Sequence, residues 1–167
     1  MSKNTNTLKE IRDELLAATD APLYSYRTEN NYYPVIGEGN HEADVMLVGE
    51  APGKNEAIQG RPFCGRAGSI LDELLASISL PREEVYITNI VKDRPPENRD
   101  PTPEEIAWYA PYLDRQIDCI QPKVIATLGR FSMAYLFDRY DVAYEERGIS
   151  ELHGKSFQAH TDNHVMR

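Results

Sequence analysis

Val45-Met46-Leu47-Val48-Gly49-Glu50-Ala51-Pro52-Gly53 is the stretch that decides the fold. Four apolar residues follow one another without alternation and stop at a glycine, the pattern of a strand buried on both faces. Gly37-Glu38-Gly39-Asn40 punctuates the chain ahead of it, and two further runs share its character: residues 85–90, and Val124-Ile125-Ala126-Thr127-Leu128 closing at Gly129. Each reads as a buried strand.

Helical periodicity fills the intervals. Leu8, Ile11 and Leu15 predict an opening helix over residues 7–18, and Ile70, Leu71, Leu74, Leu75 and Ile78 share one broad face of a second. Residues 50–68 between strand and helix read as loop. Thr102-Pro103-Glu104-Glu105 is a capping box with proline at the first helical position, continued by Ile106, Ala110, Leu113, Ile117 and Ile120. Pro111 is expected to kink or divide that helix. Residues 131–137 form another. Strands alternating with helices predict an α/β fold: three layers, α/β/α, around a central, mostly parallel sheet of about four strands. Such sheets bind ligands beyond the carboxyl ends of their strands. Attention therefore falls on residues 49–53, residues 88–94 and Gly129-Arg130.

At 167 residues the chain suits one domain, expected to span residues 1–167. The longest apolar runs, residues 106–110 and 133–137, are far short of the ~20 residues that span a bilayer, and MSKNTNTLKE shows no secretory or transit signal. A cytoplasmic monomer without membrane contact is expected. A net charge of −9 excludes a nonspecific polyanion coat and confines any nucleic-acid contact to a local face. Cys64 and Cys119, without a Cys-x-x-Cys pair, read as reduced packing residues.

Candidate chemistry sits just past the strands. Gly49 and Gly53 let backbone approach a ligand, with Glu50, Ala51 and Pro52 between them; alone, this is only a turn. Phe63, held between Pro62 and Cys64-Gly65 in the loop Gln59-Gly60-Arg61-Pro62-Phe63-Cys64-Gly65-Arg66-Ala67-Gly68, suits either a base-stacking platform or a core anchor. Asn89 carries an amide able to donate and accept, suited to reading a pyrimidine edge or to capping its strand. Lys92, Arg94 and Arg99 alternate with Asp93, Glu97 and Asp100 and read as a stiff, solvated turn. His160 and His164 lack further ligands for zinc and read as a polar tail.

Together these pieces resemble the uracil-DNA glycosylase superfamily, and within it family 4, which includes proteins labelled as phage DNA-polymerase-related. The match takes in Gly37-Glu38-Gly39-Asn40, residues 45–53, 60–68 and 82–92, Arg94-Pro95-Pro96-Glu97-Asn98-Arg99-Asp100-Pro101, residues 111–113, 122–130 and Leu152-His153-Gly154-Lys155. The resemblance implies an enzyme of base excision repair that flips deoxyuridine out of DNA and hydrolyses its N-glycosidic bond. Glu50 would position or activate water, Phe63 would stack on uracil, and Asn89 would read its edge, within a pocket floored by Gly49, Ala51, Pro52 and Gly53.

Three departures follow from the same resemblance. Family 4 members hold a [4Fe-4S] cluster on four cysteines, whereas the matching positions are Ala18, Ala21, Asp93 and Tyr109; no cluster, and no other metal, is expected. Ala57 stands where many relatives have an acid. Relatives continue beyond the position of Arg167 into a strand and a His-Pro motif, so the domain is expected to be truncated at its carboxyl end. The alternative reading is a relative that binds uracil or DNA without hydrolysis; a remoter third is an α/β protein acting on free nucleotides. In place of a cluster, Tyr24, Tyr26, Tyr32, Tyr33 and Tyr109 are expected to pack the amino-terminal segment onto residues 93–112.

Overall fold

The computed structural model describes residues 2–144, 148–160 and 165–166. His164 lies outside them, as does the side chain of His160.

Helix α1 (Lys3–Ala17) begins where Ser2 Oγ accepts from the Thr5 amide at 3.3 Å, and it buries Leu8, Ile11 and Leu15 as its spacing requires. Then come α2 (Tyr24–Glu29), β1 (Glu38–Gly39), β2 (Val45–Gly49), α3 (Lys54–Gln59), α4 (Arg66–Ser77), β3 (Tyr86–Asn89), α5 (Pro103–Ile120), β4 (Val124–Leu128), α6 (Arg130–Arg139), α7 (Ile149–Leu152) and an antiparallel pair, β5 (Ala159–His160) with β6 (Val165–Met166). The main sheet has the order β1-β3-β2-β4; β2 is parallel to both neighbours and only β1 runs antiparallel. It is an α/β fold with a mostly parallel four-stranded sheet, as the runs and intervals predict.

Why β2 is continuous rather than alternating is visible in its two faces. Met46 and Val48 join Tyr86, Ile90, Leu113 and Ile117 on the side covered by α1 and α5, whereas Leu47 and Ile87 meet Leu71 and Leu75 of α4 on the other. With helices on both faces no position is left for a polar residue.

Four expectations are corrected. First, β4 is half-exposed, Val124 showing 38% of its surface. It is an edge strand of the sheet, flanking an apolar cavity of about 520 Å³ that Val124, Leu128, Phe137 and Phe157 help to line. Second, the apolar face of α4 is only partly used: Leu71 and Leu75 are buried, but Ile70, Leu74 and Ile78 lie 53 to 68% exposed. One helix meets a sheet along a limited arc, and five apolar residues span more than that arc. Third, of the two effects expected of Pro111, division does not occur: α5 runs through it as one helix. Its capping box forms as expected, Thr102 accepting from the Glu105 amide and Glu105 accepting from the Thr102 amide. Fourth, α3 occupies part of the expected loop; with Ala57 and Ile58 as its only apolar residues it has no readable stripe. Among the described residues, no helix is long and apolar enough to cross a membrane.

The one-sided burial of α4 gives a direct expectation. Leu75→Ala should cost about 2–5 kcal/mol through the cavity it leaves, and Leu74→Ala, one residue away, no more than about 0.5 kcal/mol. Urea unfolding of the two variants checks this.

Candidate active site

The register of the sheet sets three strand ends side by side: Gly49 closes β2 and pairs with Asn89 of β3 and with Leu128 of β4. A Cβ on Gly49 would lie 2.3 Å from Asn89 Oδ1 and 2.7 Å from Phe63 Cζ. The missing side chain is thus what allows the amide of β3 and the ring of the following loop to meet over the end of β2.

Phe63 reaches this place at a cost. Its backbone is left-handed, with φ 48°, a conformation that is unfavourable for an ordinary residue by roughly 1–2 kcal/mol. The loop is held there from both sides. Arg82 donates to the Pro62 carbonyl at 2.7 Å, and Gly68 lies so close that a Cβ on it would fall 1.8 Å from the Phe63 carbonyl oxygen.

Asn89 is 2% exposed, yet among the described residues its side-chain amide has no hydrogen-bond partner. Buried amides are nearly always paired. This one caps nothing; it faces a cleft of about 320 Å³ that Phe63, Ala51, Gly53, Glu56 and Arg66 also line. Glu56 lies outside the sequence-stretch candidates. Its Oε1 accepts from the Gly65 amide at 2.9 Å, bracing the entry to α4. Its signal in the sequence was its match to a glutamate of relatives, just ahead of Ala57. Ala57 beside it is fully buried, so its methyl belongs to the core and not to the cleft.

Glu50 takes the opposite direction. Half-buried, it lies over Gly129 and accepts from the Phe131 amide in the first turn of α6 at 3.1 Å. It stands on the β4 side of Gly49 and does not line the cleft with Phe63 and Asn89. Pro52 is buried, so the cleft wall next to it is formed by Ala51 and Gly53.

The strand-end amide, the aromatic loop and the carboxylate at the mouth of the sheet all lie within residues 36–165, the span matched by the model of the uracil DNA glycosylase superfamily. The chain belongs to that superfamily. It is similar to the type-4 uracil-DNA glycosylase of Archaeoglobus fulgidus, 45% identical over 152 residues that cover 91% of this chain and 73% of the relative. The type-4 uracil-DNA glycosylase of Saccharolobus solfataricus is 46% identical over 91% of this chain and 68% of its own length. A DNA polymerase of Bacillus phage SP01 is 34% identical over 77% of this chain and 14% of the polymerase.

For a superfamily member the four positions Ala18, Ala21, Asp93 and Tyr109 are of special interest, and their donor set does not fit an iron-sulfur cluster. Ala18 and Ala21 offer methyl groups. Asp93, fully buried, accepts from Tyr109 Oη at 2.6 Å and pairs with the Arg27 guanidinium at 2.9 Å. Arg27 also donates to the Leu15 carbonyl at 3.3 Å, which ties the end of α1 into the same network. Burial pushes the Asp93 carboxyl above its ordinary value while Tyr109 and Arg27 pull it back. Burial, and then the adjacent carboxylate, drive the Tyr109 phenol far up, so it remains a donor. Both cysteines are free and elsewhere, and among the described residues no group of three His, Cys, Asp or Glu side chains could hold a metal.

The expected tyrosine packing is thereby sharpened. Tyr26 and Tyr32 accept from Arg94 at 3.2 and 2.9 Å, and Tyr24 lies against Arg27; Tyr33 is 58% exposed and takes no part in these contacts. The solvated turn expected after β3 is corrected as well. Lys92 and Asp93 are fully buried, because the chain dives under α5 before Arg94 returns to the surface.

Breaking one half of the buried pair should strand the other. Asp93→Ala is expected to cost about 3–5 kcal/mol, and adding Arg27→Met to that variant to recover a large part of the loss. Thermal or urea melts of the two single variants and the double variant measure this coupling, which strictly additive losses would refute.

Proposed function

We propose that the chain is a uracil-DNA glycosylase: one domain, acting as a monomer and without an iron-sulfur cluster, on deoxyuridine flipped out of DNA. The observation that carries this reading is the buried amide of Asn89, unpartnered among the described residues and facing Phe63 across Gly49. Uracil presents an acceptor, a donor and an acceptor along its edge, and one amide satisfies two of them. Cytosine meets the same amide with its donor and acceptor exchanged, which leaves buried groups unpaired. Phe63 supplies a flat apolar face on which the base stacks.

Hydrolysis adds water to the sugar carbon C1′ and breaks its bond to uracil N1, with the bonding electrons leaving on the base. Glu50, on the β4 side of Gly49, is the carboxylate for orienting that water and taking its proton. Lys54 and Arg66, exposed beside the cleft, offer a local positive rim to DNA phosphates on an otherwise acidic protein. The second reading, binding without hydrolysis, draws on a single feature: the Glu50 carboxylate is already engaged by the Phe131 amide and stands outside the cleft.

Single-turnover release of uracil from an oligonucleotide decides between them. Glu50→Gln should lower the rate by about 10²-fold or more and change oligonucleotide affinity little; a parent protein that binds uracil-containing DNA tightly and releases no base supports the binding reading. Asn89→Ala should abolish discrimination of uracil from cytosine and cut release by about 10²- to 10³-fold. Since that amide has no partner to lose, its removal should leave the melting temperature unchanged or raised, whereas a capping asparagine would show a drop. Full activity should persist after chelation, in protein containing no stoichiometric iron or sulfide.

A further inference from the structure

Lys92 is the one fully buried lysine among the described residues. Its Nζ lies 2.6 Å from the Asn89 carbonyl, 2.6 Å from Gln116 Oε1 and 2.8 Å from Thr88 Oγ1. Each partner is committed to accepting. A carbonyl oxygen has nothing to donate. Thr88 gives its single hydroxyl proton to the Ile36 carbonyl at 2.7 Å, and the Gln116 amide nitrogen faces that same carbonyl and Tyr86 Oη at 2.9 and 3.1 Å, which fixes its oxygen toward Lys92. Three acceptors around one nitrogen need three N–H groups, and only the ammonium has them.

Among the described residues no carboxylate answers this charge. Asp93, next in the chain, is turned away to Arg27 and Tyr109. Burial pulls the lysine well below its ordinary pKa, and the closed set of acceptors opposes that pull. The interior beneath β3 thus holds a cation bonded directly to the residue whose amide faces the cleft.

We infer that Lys92 is a positioning residue for base release: it fixes the Asn89 backbone so that the amide meets the base, and it places a preorganised positive charge behind the pocket in which uracil departs as an anion. The inference rests on the glycosylase reading above. When the bond from C1′ to N1 breaks, the electron pair spreads over uracil N1 and O2, and water delivers hydroxide to C1′ and its proton to Glu50 or solvent. A fixed charge in a low-dielectric wall favours that state over the neutral bound base without reorganising. Sequence alone hides it, because a lysine in a stretch of alternating charges reads as solvated.

The test compares Lys92→Met with the parent in single-turnover release of uracil and of 5-fluorouracil, whose anion is intrinsically more stable. The variant should release uracil roughly tenfold more slowly or worse, bind the oligonucleotide within about threefold of the parent, and show a clearly smaller deficit with 5-fluorouracil. Tyr86→Phe, which disturbs the far end of the network and leaves Lys92 its three acceptors, should stay close to the parent rate. An equal deficit on both bases, or a Tyr86→Phe deficit as large as that of Lys92→Met, would assign Lys92 a merely structural role. Should Lys92→Met fail to fold, nitrogen and Cε NMR shifts of Lys92 in the unaltered protein decide: an ammonium at assay pH supports the inference, and a neutral amine overturns it. A parent that releases no uracil defeats the glycosylase reading itself; an active parent with an equally active Lys92→Met variant defeats this inference alone.

Discussion

Three elements approach one another at Gly49 more closely than any side chain there would permit. Strand β2 ends at that residue, the β3 amide leans over it from one side, and the Phe63 ring closes from above. The remaining structure can be traced from this contact. Arg82 holds the loop down, Glu56 steadies the start of α4, and Gly68 admits the loop's own backbone. Of these three residues, Glu56 lines the cleft itself. Their common effect is to keep one aromatic face and one polar edge at a fixed spacing.

Polar groups in the interior divide into two systems with opposite settlements. Around Asp93 the charges cancel in place, since Arg27 and Tyr109 surround the carboxylate and bind the end of α1 to the segment after β3. Around Lys92 the hydrogen bonds are complete and the charge is not balanced. An isolated buried cation is normally disfavoured by several kcal/mol, so a protein that tolerates one next to a binding cleft invites a functional explanation. Both systems start from adjacent residues of a single loop, which shows how much the turn after β3 contributes to this fold.

What could be read in the sequence was local. The run 45–48 and the capping box at Thr102 declare themselves because their signals lie within a few residues, and Phe63 and Asn89 could be singled out because their flanking residues restrict what they can do. Burial that depends on a distant partner could not be read. The residues of β4 resemble those of β2, yet one strand lies inside the sheet and the other at its edge. Five apolar residues of α4 look equivalent until a sheet arrives to cover two of them. Glu50 seemed to belong with Phe63 because it follows Gly49 directly, but leaving the strand end it turns to the other neighbour of β2. The direction in which each of these residues faces came from the fold.

The left-handed backbone of Phe63 sets local stability against the shape of the cleft. Glycine would relax that position and asparagine would ease it, so either replacement removes backbone strain. Either replacement would also remove the ring that closes over Gly49. The position is therefore one where a gain in thermal durability would cost the cleft its aromatic wall.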